Sequence, residues 1–135
     1  MEAWQKVWRD RIAPQLSAVE LRALWYGLKE DDPAILQRVN CLPANIMMRN
    51  QEFPIGACSI TYAGWKGNCL NTVERCEEFF ARVCFNCDQA IGEPAGCRHF
   101  LNWHDETPRE EMRVALLEEV ERVLDERRGI TEAVS

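Results

Sequence analysis

Apolar side chains recur at helical spacing over most of the chain. In residues 2–13, Trp4, Val7, Trp8 and Ile12 share one face and Gln5, Lys6, Arg9 and Asp10 the other. That pattern predicts an amphipathic helix, closed by Pro14, which can neither donate the next backbone hydrogen bond nor fit the helix interior. Ser17-Ala18-Val19-Glu20 is a capping box, in which the Ser hydroxyl and the Glu carboxylate satisfy N–H groups that the first turn leaves unpaired. It opens a second helix to about Lys29, with Leu21, Leu24, Trp25 and Leu28 inward. Asp32-Pro33 predicts a third, short helix to about Asn40, with Asp as cap and Pro at the first helical position.

The periodicity then breaks. Between about 41 and 70 the chain is punctuated by Pro43, Pro54, Gly56, Gly64 and Gly67 and reads as irregular. Residues 57–62 mix β-favouring types, but a single strand without a partner is not stable, so a loop and a short helix are expected. Ile46, Met47, Met48, Phe53, Ile55, Ile60, Tyr62 and Trp65 are too apolar to stand in water and are expected to pack on the helices.

Helical spacing returns after Asn71 or Thr72. Val73, Cys76, Phe80, Val83, Cys84, Cys87 and Ile91 form an inward stripe to about Ala90, ended by Gly92. Glu93-Pro94 predicts a short helix to about Trp103. Thr107-Pro108-Arg109-Glu110 combines an N-cap, Pro at the first helical position and a second capping box. The last helix runs to about Arg128, with Met112, Leu116, Val120, Val123 and Leu124 inward and Gly129 as its end; residues 130–135 are expected to fray. The expected architecture is all-α: one domain spanning 1–135, a compact bundle of five or six helices around an antiparallel pair formed by 72–90 and 108–128.

Composition narrows the function. At 135 residues, with 47% hydrophobic and 28% charged residues, the chain can bury a core without covalent staples. Sixteen basic residues against 22 acidic ones, a net charge of −6, leave no basic footprint for nucleic acid. No apolar run is long enough to span a membrane. Met1 to Lys6 lacks the basic-then-apolar build of a signal peptide, so the seven cysteines are expected to be reduced thiols in a cytoplasmic protein. No glycine-rich phosphate loop is present.

Cys84, Cys87, Cys97 and His99 form the one constellation with metal-ligand character, a Cys3His set spaced C-x2-C-x9-C-x-H. A structural zinc pair usually sits on a tight turn, whereas Cys84 and Cys87 lie within a helical stripe, where cysteine packs as a small hydrophobe. Core thiols without a cofactor are therefore the favoured reading. Zinc or iron–sulfur binding, or thiol redox chemistry, is the alternative. Cys69, just before a helix start, is a weaker thiol candidate, because nothing nearby in sequence supplies a base. His99 lies two positions from Cys97 and so points elsewhere; His104, placed in the turn before Thr107, is expected to cap the preceding helix.

No catalytic triad, carboxylate pair or phosphate cradle assembles from the sequence, and paired acids such as Glu118-Glu119 read as a solvated face. Trp65, between two glycines, and Trp103, with Arg98 and Arg109, supply the aromatic and Arg anchors typical of interfaces. The expectation is a non-enzymatic helical adaptor or regulatory protein that binds a protein partner or forms a homodimer.

Phe79-Phe80-Ala81-Arg82-Val83-Cys84, Cys97-Arg98-His99-Phe100-Leu101-Asn102-Trp103 and Asp105-Glu106-Thr107-Pro108-Arg109-Glu110 together resemble a family of small uncharacterised cyanobacterial proteins. The resemblance covers about the C-terminal half. It implies a soluble bacterial cytosolic protein and carries no activity or catalytic residue with it.

Overall fold

The computed structural model describes residues 1–48, 51–92 and 96–134, with side chains as far as residue 129. Among these residues the chain forms six α-helices and one two-stranded antiparallel sheet, a mostly helical bundle as the periodicity predicts.

The first helix, α1 (Ala3–Val7), does not stop at Pro14. It passes into a π-helical turn, Trp8–Ile12, and a 3-10 turn, Ala13–Gln15, that holds Pro14 near its start. The carbonyls freed where the helix tightens are taken up from far away: Arg127 donates to Leu16 O at 2.8 Å and to Ala13 O at 3.0 Å. The next helix, α2 (Ala18–Lys29), begins at the expected capping box, with Glu20 N–H donating to Ser17 Oγ and Ser17 N–H to Glu20 Oε1.

The helix expected at Asp32-Pro33 is replaced by a turn. Asp32 caps as predicted, accepting from Ala34 N–H at 2.9 Å, but the chain then extends, and Ile35 bridges Ala57 in parallel. Leu36 N–H donates to Ala57 O and Ala57 N–H to Ala34 O, so a neighbouring strand takes the groups a helix would have used. An isolated short helix has little to set against that competition.

The strand expected to lack a partner has one. β1 (Cys41–Pro43) pairs with β2 (Pro54–Ala57), and a 3-10 turn, Ile46–Met48, lies in the loop between them. Residues 57–62 are only briefly extended, because α3 (Ser59–Asn68) begins two residues after Ala57. The helix ends at Cys69 in a left-handed conformation, φ 54°.

The long helix α4 (Val73–Ile91) has Thr72 as its N-cap and the left-handed Gly92 as its stop. Its buried face is Val73, Cys76, Phe79, Val83 and Cys87; Phe79, not Phe80, is the ring driven into the core. The start proposed at Glu93-Pro94 lies outside the described residues; α5 runs Arg98–Glu106, one turn further than expected, and so contains His104 and Asp105. The last helix, α6 (Arg109–Val134), passes through Gly129. The capping box at Thr107 is not made: Thr107 N–H donates to Trp103 O, and Glu110 pairs with Arg113.

The centre of the bundle is α2, packed on α3 and α6. The α4–α6 pair expected there does not form. Instead α4 packs on α3, β1 and the π-turn, and α1 on α5. An apolar stripe shows that a face is buried but not against which of several similar stripes. The resulting core is continuous, from Trp8 and Ile12 through Leu21, Leu24 and Ile60 to Phe100, Leu116 and Val120. No helix among the described residues is long and apolar enough to cross a membrane.

Candidate functional site

Three groups of residues stand out once the helices are assembled. The first contains the cysteines of the predicted constellation. Cys87 is buried and Cys84 half-buried, on the α4 face where the stripe places them, and Cys97, the residue before α5, is buried as well. The turn into α5 lays Cys97 against α4, pinned by its own N–H donating to Asp88 Oδ1 at 2.8 Å. The neighbouring Cys97 thiol and burial push the Cys84 thiol above its ordinary range, while the neighbouring Cys84 holds Cys97 below it. Burial pushes the Cys87 thiol up to about 11. His99 is exposed and lines a groove of about 360 Å³ with Lys6, Asp10 and Arg11, whereas Cys97 is buried. Among the described residues no group of three or more His, Cys, Asp or Glu side chains is placed to hold a metal ion. Cys69 is exposed at the end of α3.

The second group was not legible in the sequence. His104 is 1% exposed, and its ring bridges two elements. Nε2 lies 2.8 Å from Ser59 Oγ at the start of α3, and Nδ1 lies 2.9 Å from Asp105 Oδ1. An ionised carboxylate only accepts, so Nδ1 carries the proton, and in the neutral ring Nε2 accepts from the Ser59 hydroxyl. Burial alone would raise Asp105, but the hydrogen bonds from His104 and from Arg38 N–H bring it below its usual range. The order Ser–His–Asp is that of a nucleophile, its base and an orienting acid. The surroundings are wrong for that use, because Ser59 is fully buried and an acyl carbon has no route to its oxygen. The arrangement instead clamps α5 to α3. Gln37 reinforces it by donating to the backbone oxygens of His104 and Thr107 at 2.6 Å each, and Asn40 does so beside it by accepting from Thr61 Oγ1. His104 is thus a buried connector between helices, not the helix-end cap expected of it.

The third group is the β1–β2 hairpin. The apolar residues expected to pack on the helices divide: Ile60 and Tyr62 are buried, but Ile46 is 75% exposed, Met47 86% and Phe53 61%, with Leu42, Met48 and Ile55 also exposed. The division has a local cause. Ile60 and Tyr62 sit on α3, whose inner face is in the core, while the hairpin is a two-stranded ribbon with one face against α4 and the other toward solvent.

The four anchors suggested for a partner are dispersed. Trp65 is half-buried, edge-on to Tyr62 and capped by the Lys66 ammonium 4.0 Å above its ring. Trp103 stacks on Trp4, with ring centroids 3.5 Å apart and planes 4° from parallel. Arg109 donates to Ile35 O and Asp32 O and pairs with Asp31, tying α6 to the turn after α2. Arg98 is exposed at the start of α5. Comparison with protein-family profiles, with curated proteins and with solved structures returned no match.

Proposed function

We propose that the chain is a non-enzymatic interaction module whose contact surface is the β1–β2 hairpin, and that the surface is covered by a second copy of the chain. The observation that carries this is the exposure of Leu42, Ile46, Met47, Met48, Phe53 and Ile55 on one short hairpin. Scattered surface apolars are ordinary, but a contiguous group marks an interaction site. Six large side chains at these exposures offer several hundred Å², comparable to the roughly 800 Å² that each partner contributes to a stable interface. Charge favours a like partner at this face. Residues 42–55 carry one base, Arg49, and one acid, Glu52, so the hairpin is neutral on a chain of net charge −6. Two acidic copies repel least where their facing segments are uncharged, and a two-fold contact between identical apolar patches needs no complementary charge. The Trp65, Trp103 and Arg109 side chains are engaged within the fold, which supports the hairpin over those residues as the contact.

Sedimentation equilibrium over a range of micromolar concentrations tests this. A dimer is expected for the native chain and a monomer for Met47→Glu/Phe53→Glu with unchanged circular dichroism. A native chain that stays monomeric throughout, or a double variant that still dimerises, would refute it.

A further inference from the structure

The groove of about 360 Å³ lies where the N-terminal helix meets the end of α4 and the start of α5. Residues 3, 6, 7, 10 and 11 line one side of it. They share one helical face, because positions three and four apart stand one above the other. That face runs from α1 into the π-helical turn, whose Trp8 and Ile12 are turned into the core. Isolated π-turns are rare and concentrate at functional sites. Ala90 and Ile91, the last two residues of α4, line the other side with His99 of α5.

Charge and shape together specify an occupant. Lys6 and Arg11 both line the groove, and among the described residues neither is in an ion pair, whereas Arg9, Arg109, Arg113 and Arg122 each have a carboxylate. Asp10 is the one acid in the lining. Two cations less one acid, with His counted as neutral, leave a single net positive charge on a chain of net charge −6. A monoanion balances that charge. The apolar lining is aliphatic, with no Phe, Tyr or Trp on which a base or another ring could stack. The volume falls near the lower end of the roughly 300–1,000 Å³ of ligand sites, which suits a small molecule and not a long acyl chain. We propose that this groove binds a small aliphatic carboxylate, with its oxygens between Lys6 and Arg11 and its alkyl body against Val7 and Ile91. The planar Arg fork matches both carboxylate oxygens, and the Lys ammonium adds a point charge. Lys6, Asp10 and Arg11 are exposed, so binding is weak and falls with added salt.

The site is separate from the hairpin. β1 packs beside Val73 and Cys76 at the start of α4, and Ile91 ends that helix, roughly 20 Å further along at about 1.5 Å per residue. A monomer that binds the carboxylate, or a dimer that does not, would tell the two readings apart.

The experiment titrates sodium octanoate, below its micelle concentration, into the nitrogen-labelled full chain and follows the backbone amide shifts. Saturable shifts are expected to cluster at residues 6–11, 90–91 and 99. Octanol has the same tail without the charge, and inorganic phosphate has charge without the tail; each is expected to bind at least about tenfold more weakly. Lys6→Gln/Arg11→Gln should weaken octanoate about tenfold, the effect of losing two exposed charge contacts. Asp10→Asn, which removes the acid, should tighten it. Absence of a saturable shift, shifts centred on Met47 and Phe53, octanol or phosphate equal to octanoate, unchanged binding in the double variant, or weaker binding in Asp10→Asn would overturn the proposal. The three probes are compared on the native chain, so that comparison decides even if a variant fails to fold.

Discussion

Arg9 and Glu119, 110 positions apart, form a two-pronged ion pair, Nε to Oε1 at 2.6 Å and the terminal guanidinium nitrogen to Oε2 at 2.7 Å. Glu119 is almost fully buried, and the pair is a polar link between the first helix and α6. The hydrogen bond from Arg9 holds the Glu119 carboxyl below its ordinary value of 4.5, against the opposing effect of burial. A depressed folded value means that the unfolded chain binds the proton first as pH falls. The stabilisation is therefore complete above the ordinary carboxyl range and is lost as pH drops through the folded value. Unfolding midpoints measured from neutral pH down into that range should fall with pH, and Glu119→Gln should have a lower midpoint at neutral pH and a shallower fall. Some slope will remain, because Asp32 and Asp105 are also held low. An unchanged slope in Glu119→Gln would exclude this account.

The Ser59–His104 hydrogen bond is buried at both ends, so removing one partner strands the other. Ser59→Ala should cost about 1–3 kcal/mol, the usual penalty for an orphaned buried polar group. His104→Ala should cost more, since it also opens a cavity beneath Phe100. Urea denaturation of both single variants and the double variant gives the coupling directly. Energies that simply add would show that the two residues do not stabilise each other.

Two glycines should respond in opposite directions to the same change. A Cβ on Gly64 would lie 2.6–2.8 Å from the Phe79 ring, whereas at Gly129 nothing lies within 4 Å. Gly64→Ala should therefore destabilise by about 1–3 kcal/mol through overpacking. Gly129→Ala, inside α6, should stabilise by up to about 1 kcal/mol through helix propensity. Thermal melts separate the two, and a neutral Gly64→Ala would mean that α3 and α4 pack less tightly than described.

Zinc ligation requires convergent thiolates, but among the described residues no group of three His, Cys, Asp or Glu side chains is placed to hold a metal, and Cys97 and burial push the Cys84 thiol up, away from the thiolate form. The melting temperature of the purified chain should be unchanged by a strong zinc chelator. A structural site would instead lose a large part of its folding free energy, since apparent binding is about 10–16 kcal/mol in small zinc peptides. A chelator-induced drop, with metal recovered by elemental analysis, would restore the Cys84, Cys87, Cys97 and His99 site.

Features that depend on a few neighbouring residues were legible in the chain. The Ser17–Glu20 box, the Thr72 cap, the Gly92 stop and the stripe that buries Cys76, Val83 and Cys87 each follow from chemistry within one or two turns of helix. Asp32 shows where such reasoning ends. Its capping preference was correct, yet the helix was lost because the Leu36 amide found Ala57, 21 positions later, as a better partner. Glu119 shows the same limit for charge: beside Glu118 it has the pattern of a solvated acid, and Arg9 becomes its partner only when α6 lies along the first helix. The His104 clamp is likewise a meeting between elements, which no local spacing encodes. The exposed hairpin is the clearest case. Composition marks Ile46, Met47, Met48 and Phe53 as residues that should leave water, and they have the same hydrophobicity wherever they sit. Whether they are buried depends on which surface the rest of the chain brings to them, and among the described residues the ribbon's outer face meets none.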